Sequence, residues 1–256
     1  QTEAPEAGGD FDLVVAGGGI AGTCAAVAAA RLGLTVALVQ DRPVLGGNNS
    51  SEVRVWLQGA RNKEPWPRVG DVVGELEQVR QAHYGPENTA ELYEDEKKLA
   101  VARAEPNLKL FLQHRVNGAE TAGASIRAVI AQDTVSGRRL RLVGRLFADC
   151  TGDGALGALA GAEFEATPTG HMGPCNLWNV QETAGPQPFP RCPWALDVSM
   201  SPFPGRSKTE PDIRQLGGWY WESGFDLDPM AQAEEIRDWN FRAMYGAWDA
   251  LKNVDG

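Results

Sequence analysis

The stretch that decides the fold runs from Phe11 to Asp41 and reads FDLVVAGGGIAGTCAAVAAARLGLTVALVQD. Its first six residues are apolar apart from Asp12 and include two β-branched valines, which predicts a strand. An alanine-rich helix follows the glycines and ends at Gly33, and residues 34–39 predict a second strand. The order of strand, glycine turn, helix and strand is that of a βαβ unit.

The glycines of this unit have three separate roles. Gly17, Gly19 and Gly22 form a G-x-G-x-x-G motif between the strand and the helix. Gly17 permits the tight turn, Gly19 lets the backbone approach a pyrophosphate, and Gly22 lets the helix lie close to the sheet. The N–H groups of the first helical turn then face the diphosphate. The motif predicts dinucleotide binding, and a glycine turn in an ordinary α/β protein is the alternative.

The end of the second strand is the position that usually meets the ribose. A carboxylate normally stands about twenty residues after the glycines. This chain has Gln40 there, followed by Asp41 and Arg42. Gln40 or Asp41 can hydrogen-bond a ribose hydroxyl, and Arg42 either meets a phosphate or is a solvated loop charge.

Composition and charge exclude several classes of protein. The chain has 256 residues and a net charge of -10, which predicts one or two globular domains and argues against a nucleic-acid partner. No apolar run has the length of a membrane span, and no signal peptide is present. Because the chain begins at Gln1 instead of Met, a removed leader is compatible with the sequence. Soluble cytoplasmic and exported locations therefore both stay open.

The four cysteines do not predict a metal site. Cys24 and Cys150 are expected to be small buried side chains. Cys175 and Cys192 flank a loop-rich stretch and could pair in an exported protein, but no C-x-x-C or Cys/His ligand spacing is present. We therefore expect no bound metal.

The rest of the chain predicts an α/β fold, a Rossmann-like parallel sheet with an inserted β-meander and a loop-rich second region. In chain order the patterns predict a flexible leader at 1–9, a helix capped by Asp71 and extending to His83, a helix over 89–104, strands over 108–112, 125–135, 138–143 and 145–149, and a final helix that Asp228 caps. The final helix is expected to bury a stripe made by Ile236, Trp239, Ala243, Trp248 and Leu251. We expect a nucleotide-binding domain at 10–165 and a substrate-side region at 166–256.

A second G-x-G-x-x-G match, at Gly152, Gly154 and Gly157, follows the last of these strands. One interpretation is a separate nicotinamide site. However, Gly161 ends the following helix early, and no second strand with a ribose carboxylate follows. The pattern favours a turn that borders the first dinucleotide.

Several blocks together resemble the FAD-dependent oxidoreductase family, within the glutathione-reductase-like flavoprotein superfamily. These blocks are GGGIAG, DRPVLGGNNSSEVRV, DCTGDG, GHMGPCNLW, PRCPWAL and WYWESGF, and the resemblance extends from Phe11 to Asn253. It implies FAD as the cofactor and a small-molecule substrate, either a carbohydrate or a hydroxy acid. Members of this superfamily usually carry Glu where this chain has Gln40. They also continue into a C-terminal segment that completes the FAD domain, so the chain is expected to be a fragment ending at Gly256.

The resemblance also implies which residues contact FAD. The pyrophosphate is assigned to Gly17, Gly19 and Gly22, the adenosine ribose to Gln40, Asp41 and Arg42, the diphosphate on its way to the flavin to Gly46, Gly47, Asn48 and Ser51, adenine to the backbone of Val116, and the second FAD motif to Thr151, Gly152 and Asp153.

Catalytic candidates are fewer. His171 is the candidate base because it lies in a glycine-flanked loop and is one of only 3 histidines. Arg54 is a candidate for orienting an anionic substrate or stabilising reduced flavin, and Asn176 for donating to a carbonyl. Two alternatives to a flavoenzyme stay open: a degenerate nucleotide-binding module without catalysis, and an NAD(P)-dependent dehydrogenase. The sequence leaves the oligomeric state undetermined.

Overall fold

The computed structural model describes residues 4–82, 85–218 and 220–255. It divides the chain into two compact units, unit 1 with residues 1–81 and 89–164, and unit 2 with residues 82–88 and 165–256. The helices and strands of unit 1 are β1 (Glu6–Ala16), α1 (Ile20–Arg31), β2 (Val36–Gln40), α2 (Asp71–Leu76), a 3-10 helix (Ala90–Tyr93), α3 (Asp95–Arg103), β3 (Leu108–Leu112), β4 (His114–Ala122), β5 (Ser125–Asp133), β6 (Arg139–Asp149) and α4 (Ala155–Leu159).

These strands form one six-stranded sheet in the order β3-β2-β1-β6-β5-β4. The strands β3, β2, β1 and β6 run parallel, whereas β5 and β4 continue the sheet as an antiparallel meander. In the register, Ala16 lies opposite both Val39 and Asp149. The carboxyl ends of β1, β2 and β6 therefore meet at one edge, where open α/β sheets usually bind ligands. This arrangement confirms the predicted fold class.

Two hydrophobic clusters pack against the sheet, one on each of its faces, because successive side chains of a strand point to opposite faces. On β1, Val15 packs with residues of α1 and α3, whereas Val14 packs with the meander and with Leu156 of α4. Full burial of a Val or Leu side chain contributes about 1.5–3 kcal/mol. The helices and the meander therefore fix the strands that carry the turns at the sheet edge.

The structure corrects four of the predicted boundaries in unit 1. Residues 6–9, expected in a flexible leader, belong to β1, and the predicted strands over 138–143 and 145–149 are one strand, β6. Helix α2 ends at Leu76, and His83 lies outside the described residues. The helix expected over 89–104 is divided at Glu94, whose φ of 47° is left-handed. Strand β4 was not predicted.

Unit 2 is mainly irregular backbone that ends in α5 (Ala233–Ala250) and a short π-helix (Leu251–Asp255). Backbone hydrogen bonds connect the GHMGPCNLW block with the WYWESGF block and with Gly217 just before it: Asn176 N donates to Trp221 O at 3.1 Å, and Trp178 N donates to Gly217 O at 3.0 Å. The ring of Trp178 then packs with the ring of Trp221 and with that of Trp248 in α5.

The final helix differs from its prediction in two ways. It begins after Gln232, and Asp228 instead caps the preceding turn by accepting the N–H groups of Met230 and Ala231 at 2.9 Å. Trp239, expected on the buried stripe, is 50% exposed. No helix in the described ranges has both the length and the apolar character needed to cross a membrane.

Candidate functional site

The first glycine turn joins β1 to α1 at the carboxyl edge of the sheet. Gly17 has a φ of +99°, and a Cβ there would lie 2.2 Å from the carbonyl oxygen of Cys150. A Cβ on Gly22 would lie 1.9 Å from the carbonyl oxygen of Gly17. Contacts this short are impossible for real atoms, so the packing of the protein itself requires glycine at both positions.

Gly19 differs from Gly17 and Gly22 because no contact with the described residues requires a glycine there. Its φ of -63° and ψ of 179° are accessible to any residue, and it is the N-cap of α1. The nearest atom to a Cβ at this position is the Cα of Gly47, at 3.9 Å. The N–H groups of the first turn of α1 have no intrahelical acceptor, because an α-helix supplies none at its start. Gly19 thus leaves room for an anionic group to approach these donors.

The second glycine turn follows β6, beside the first. Cys150 N donates to Ala16 O at 2.8 Å, which extends the parallel pairing into the turn. The carboxylate of Asp149 accepts hydrogen bonds from Thr151 N at 3.1 Å, from Thr151 Oγ1 at 2.7 Å and from Gly157 N at 2.8 Å. The side chain of Asp149 therefore connects the start of the turn, at Thr151, with Gly157 in α4, and we call this set of hydrogen bonds the Asp149 ring.

The charge state of Asp149 depends on this ring. Partial burial acts to raise the pKa of its carboxyl, but the hydrogen bonds from Gly157 and Thr151 outweigh burial and lower the pKa below its usual value. Within the turn, Gly152 and Gly154 have left-handed φ values of +92° and +67°. The predicted second FAD motif at Thr151, Gly152 and Asp153 is thus a pre-formed turn held by an ionised aspartate.

Gln40 lies beneath the first turn. Its side chain is buried, and its Oε1 accepts the N–H of Gly18 at 2.7 Å while its Nε2 donates to Val44 O at 3.2 Å. Both polar ends of the carboxamide thus hold the backbone of the site. Its predicted contact with a ribose stays a prediction.

The loop at 46–54 lies against the first turn. Gly46 N donates to Gly18 O at 2.8 Å, and Gly46 and Gly19 form an isolated parallel bridge. Gly46 and Gly47 have left-handed φ values of +110° and +59°, and a Cβ on Gly47 would lie 3.0 Å from the Cα of Gly19. The small residues of the predicted diphosphate loop are therefore what allow the two backbones to meet.

The other residues of the predicted cofactor site occupy different surroundings. Asp41 and Asn48 are exposed, and Arg42 forms a 3.4 Å ion pair with Glu52. Val116 is buried in β4, where it pairs with Ala131. The structure thus brings the glycine turns, Gln40 and the 46–54 loop together at one edge, and their contacts with a cofactor stay predictions.

The three catalytic candidates are divided between the two units. Arg54, in unit 1, has a left-handed φ of 64°, and its Nε donates to Ser51 O at 3.0 Å. Asn176 and His171 lie in unit 2. The ring nitrogens of His171 lie 2.9 Å from the carbonyl oxygens of Met172 and Leu227.

These contacts bear on the role of His171 as a base. A carbonyl oxygen only accepts, so a hydrogen bond in either contact needs an N–H on that ring nitrogen, whereas a general base needs a free nitrogen lone pair. The contacts give the imidazole a structural role in unit 2, and its role as a base stays a prediction.

The cysteines do not form a redox or metal centre in the structure. All four are free thiols. Burial, together with the charge of Glu222, raises the pKa of Cys175 to about 11, which keeps this thiol protonated and unreactive near neutral pH. Among the described residues, no group of three or more potential ligands could hold a metal ion.

Sequence reasoning missed several residues that shape the site. Asp149 stands just before the second glycine turn, and an aspartate followed at the second residue by Thr is a signal for side-chain capping of a turn. Tyr93, at the end of the 3-10 helix, and Asp95 and Lys98 of α3 contact the 46–54 loop or one another, and no local sequence signal reveals these contacts.

Comparisons with solved structures give only weak similarity. The chain is similar to a geranylgeranyl bacteriochlorophyll reductase-like protein from Thermoplasma acidophilum (17% identity over 60% of this chain and 42% of that chain, TM-score 0.43). It is also similar to L-proline dehydrogenase from P. horikoshii (21% identity over 59% of this chain and 24% of that chain, TM-score 0.34). A third is the glycerol-3-phosphate dehydrogenase from Bacillus halodurans complexed with FAD (13% identity over 60% of this chain and 37% of that chain, TM-score 0.39). The chain thus spans less than half of each of these proteins.

Comparisons of sequence are more informative. No curated protein matches the chain significantly. A family model described as FAD dependent oxidoreductase matches residues 12–198, which is most of the chain and includes both glycine turns. This match confirms the predicted resemblance and FAD as the cofactor of the family. The chain therefore belongs to the FAD-dependent oxidoreductase family.

Proposed function

We propose that unit 1 binds FAD, with the diphosphate at the two glycine turns. The observation that carries this proposal is the contrast among the glycines: packing explains Gly17 and Gly22, whereas a Cβ on Gly19 would make only an ordinary van der Waals contact, 3.9 Å from the Cα of Gly47. A bound diphosphate supplies the missing reason for glycine at this position, because its oxygens must approach the backbone N–H groups closely.

The remaining contacts follow the predicted assignments. Backbone donors suit this chain, since its net charge of -10 provides no general attraction for an anion. We assign the ribose to Gln40, Asp41 and Arg42. The 46–54 loop, with Gly46, Gly47, Asn48 and Ser51, extends along the diphosphate. Adenine meets the backbone of Val116, and the second turn, with Thr151, Gly152 and Asp153, closes the site.

We further propose that the complete protein oxidises or reduces a small polar molecule, of the carbohydrate or hydroxy-acid class. When bound, FAD supplies the hydride or electron chemistry. The residues proposed on the substrate side are Arg54, which orients an anionic group, Asn176, which donates to a carbonyl, and His171, which accepts a proton. Association with the family supports the substrate class.

The first experiment is the visible absorption spectrum of the purified chain before and after incubation with FAD and removal of the excess. An oxidised-flavin spectrum that stays with the protein supports the proposal. Anaerobic bleaching by candidate carbohydrates and hydroxy acids then identifies the substrate class. A folded chain that takes up no flavin would overturn FAD binding, and tight NAD(P)H binding without flavin would favour a nicotinamide enzyme.

A second experiment separates catalysis from binding. The His171→Ala variant is loaded with FAD and mixed anaerobically with the identified substrate. Loss of flavin reduction at normal FAD content supports a role for His171 in the reaction. An unchanged rate of reduction would reject it as the base.

A further inference from the structure

The 46–54 loop is held from outside by the start of α3 and the residues just before it. Its members that are predicted to meet FAD, such as Gly47 and Ser51, belong to a stretch without helix or strand structure. We propose that Asp95, Tyr93 and Lys98 are positioning residues that fix this loop in the shape that receives FAD. This inference rests on the proposed function.

Asp95 makes the most direct of these contacts. It is the first residue of α3, and its carboxylate oxygens lie 3.1 and 3.3 Å from the N–H of Ser51. A charged acceptor makes a stronger hydrogen bond with a backbone N–H than a neutral one does. Asp95 thus fixes the peptide plane between Ser50 and Ser51, although the two segments are 44 residues apart.

Tyr93 holds the end of the loop. Its ring is buried, and its hydroxyl donates to the carbonyl oxygen of Arg54. Arg54 has the left-handed φ of 64°, a conformation that a non-glycine residue adopts only where its surroundings maintain it. The Tyr93 hydroxyl is one such constraint, and the hydrogen bond from Arg54 Nε to Ser51 O is another.

Lys98 is the third member of this group, which we call the anchor: Asp95, Tyr93 and Lys98. Its side chain is fully buried, and its Nζ donates to the carbonyl oxygen of Tyr93. Its Cδ would lie 3.1 Å from a Cβ on Gly46, so the lysine stem supports the start of the loop. Burial lowers the pKa of this ammonium group, and the nearby carboxylates of Asp95 and Glu94 act in the opposite direction. One side chain therefore connects the beginning of the loop to the tyrosine that holds its end.

The test uses the full chain with four substitutions. Asp95→Ala removes the acceptor for Ser51 N–H, whereas Asp95→Asn keeps an acceptor oxygen at the same place. Tyr93→Phe removes only the hydroxyl. Glu96→Ala is the matched control, because this exposed residue lies in the same first turn of α3 and its loss changes the charge by the same amount.

Two quantities are measured on each variant. Hydrogen exchange without FAD reports the order of peptides covering 46–54, with peptides from the β5–β6 hairpin as the reference. Titration with FAD gives the dissociation constant. We expect Asp95→Ala and Tyr93→Phe to exchange faster at 46–54 alone and to bind FAD at least about tenfold more weakly, since each loses a buried or charged hydrogen bond. Asp95→Asn should recover most of the affinity, and Glu96→Ala should behave like the wild type.

The outcomes separate this inference from the proposed function. If the wild type binds FAD and Asp95→Ala and Tyr93→Phe bind it equally well, the positioning role is overturned while the function stands. If a folded wild type binds no FAD, the proposed function fails, and the role of the anchor in FAD binding fails with it. Loss of affinity in Asp95→Asn equal to that in Asp95→Ala would also contradict the mechanism, because the acceptor is still present.

Discussion

Replacing Gly19 with Ala is the substitution that distinguishes a ligand site from an ordinary turn. Among the described residues, the nearest atom to the added methyl group is the Cα of Gly47, at 3.9 Å, and the backbone conformation suits alanine. The stability cost is therefore limited to the poorer N-cap, up to about 1 kcal/mol. The same methyl group points to where we place the diphosphate. Overpacking of about 1–3 kcal/mol then weakens FAD binding by about tenfold to a hundredfold.

The control is a glycine far from the proposed site whose Cβ would also fit without a clash. Gly74 lies inside α2, and a Cβ there meets nothing within 4 Å. The Gly74→Ala variant should keep the FAD affinity of the wild type and gain up to about 1 kcal/mol of stability from the higher helix propensity of alanine. The assays are thermal unfolding without FAD and titration of FAD followed by its fluorescence.

Two results would refute the reasoning about Gly19. If Gly19→Ala is strongly destabilised without FAD, the protein itself requires this glycine, and its contrast with Gly17 and Gly22 is wrong. If Gly19→Ala is stable and binds FAD as tightly as Gly74→Ala does, the diphosphate does not approach this turn.

Three further predictions concern the stability and reactivity of the chain. Gln40→Leu should lower the free energy of unfolding in urea by about 1–3 kcal/mol, because the buried N–H of Gly18 loses its acceptor; Gln40→Glu keeps that acceptor, and equal losses in both variants would refute the explanation. Hydrogen bonds from Ser136 and Val135 lower the pKa of Asp133 to about 2, below the value of about 3.9 in an unfolded chain. The contribution of ionised Asp133 to the free energy of unfolding is therefore complete above the unfolded pKa and is lost as the pH falls towards 2. The Tm difference between wild type and Asp133→Asn should disappear over that range. A Tm difference that is independent of pH would argue against this explanation. Alkylation of Cys175, followed by peptide mass spectrometry, should rise with an apparent pKa near 11, whereas fast labelling at neutral pH would show a reactive thiolate.

The βαβ unit could be predicted because its signals are local. The apolar run, the glycines and the alanine-rich helix are consecutive in sequence, and the backbone packing requires glycine at positions 17 and 22. Strand β4 could not be found in the same way, because its sequence HRVNGAETA alternates poorly and its partner is supplied by β5. Antiparallel pairing with a neighbouring strand overrides the weak local preference.

The errors in the helices have tertiary causes. Helix α2 was expected to continue past Leu76, but the next residues are held elsewhere: Gln78 Oε1 accepts from Asn49 at 2.7 Å, and Val79 N donates to Glu94 at 3.2 Å. Glu94 in turn divides the helix expected over 89–104. Long-range hydrogen bonds of this kind leave no periodic signal in the sequence.

The candidate site could be predicted only in part, for the same reason. The backbone contacts of Gly17 and Gly22 follow from the motif. The internal hydrogen bonds of Gln40, the ring around Asp149 and the anchor at Asp95 depend on residues that are far apart in the sequence or on the exact shape of a turn. Through these contacts Gln40, Asp149 and Asp95 hold the backbone of the glycine turns and of the 46–54 loop.

The most direct test of FAD binding at the two glycine turns is hydrogen exchange of the wild-type chain with and without FAD. We predict slower exchange at the amides of Gly19 to Gly22 and of residues 151–157 when FAD is present, and no change in the β5–β6 hairpin. Unchanged exchange at both turns, in a chain that binds FAD or in one that does not, would contradict the assignment of the diphosphate site.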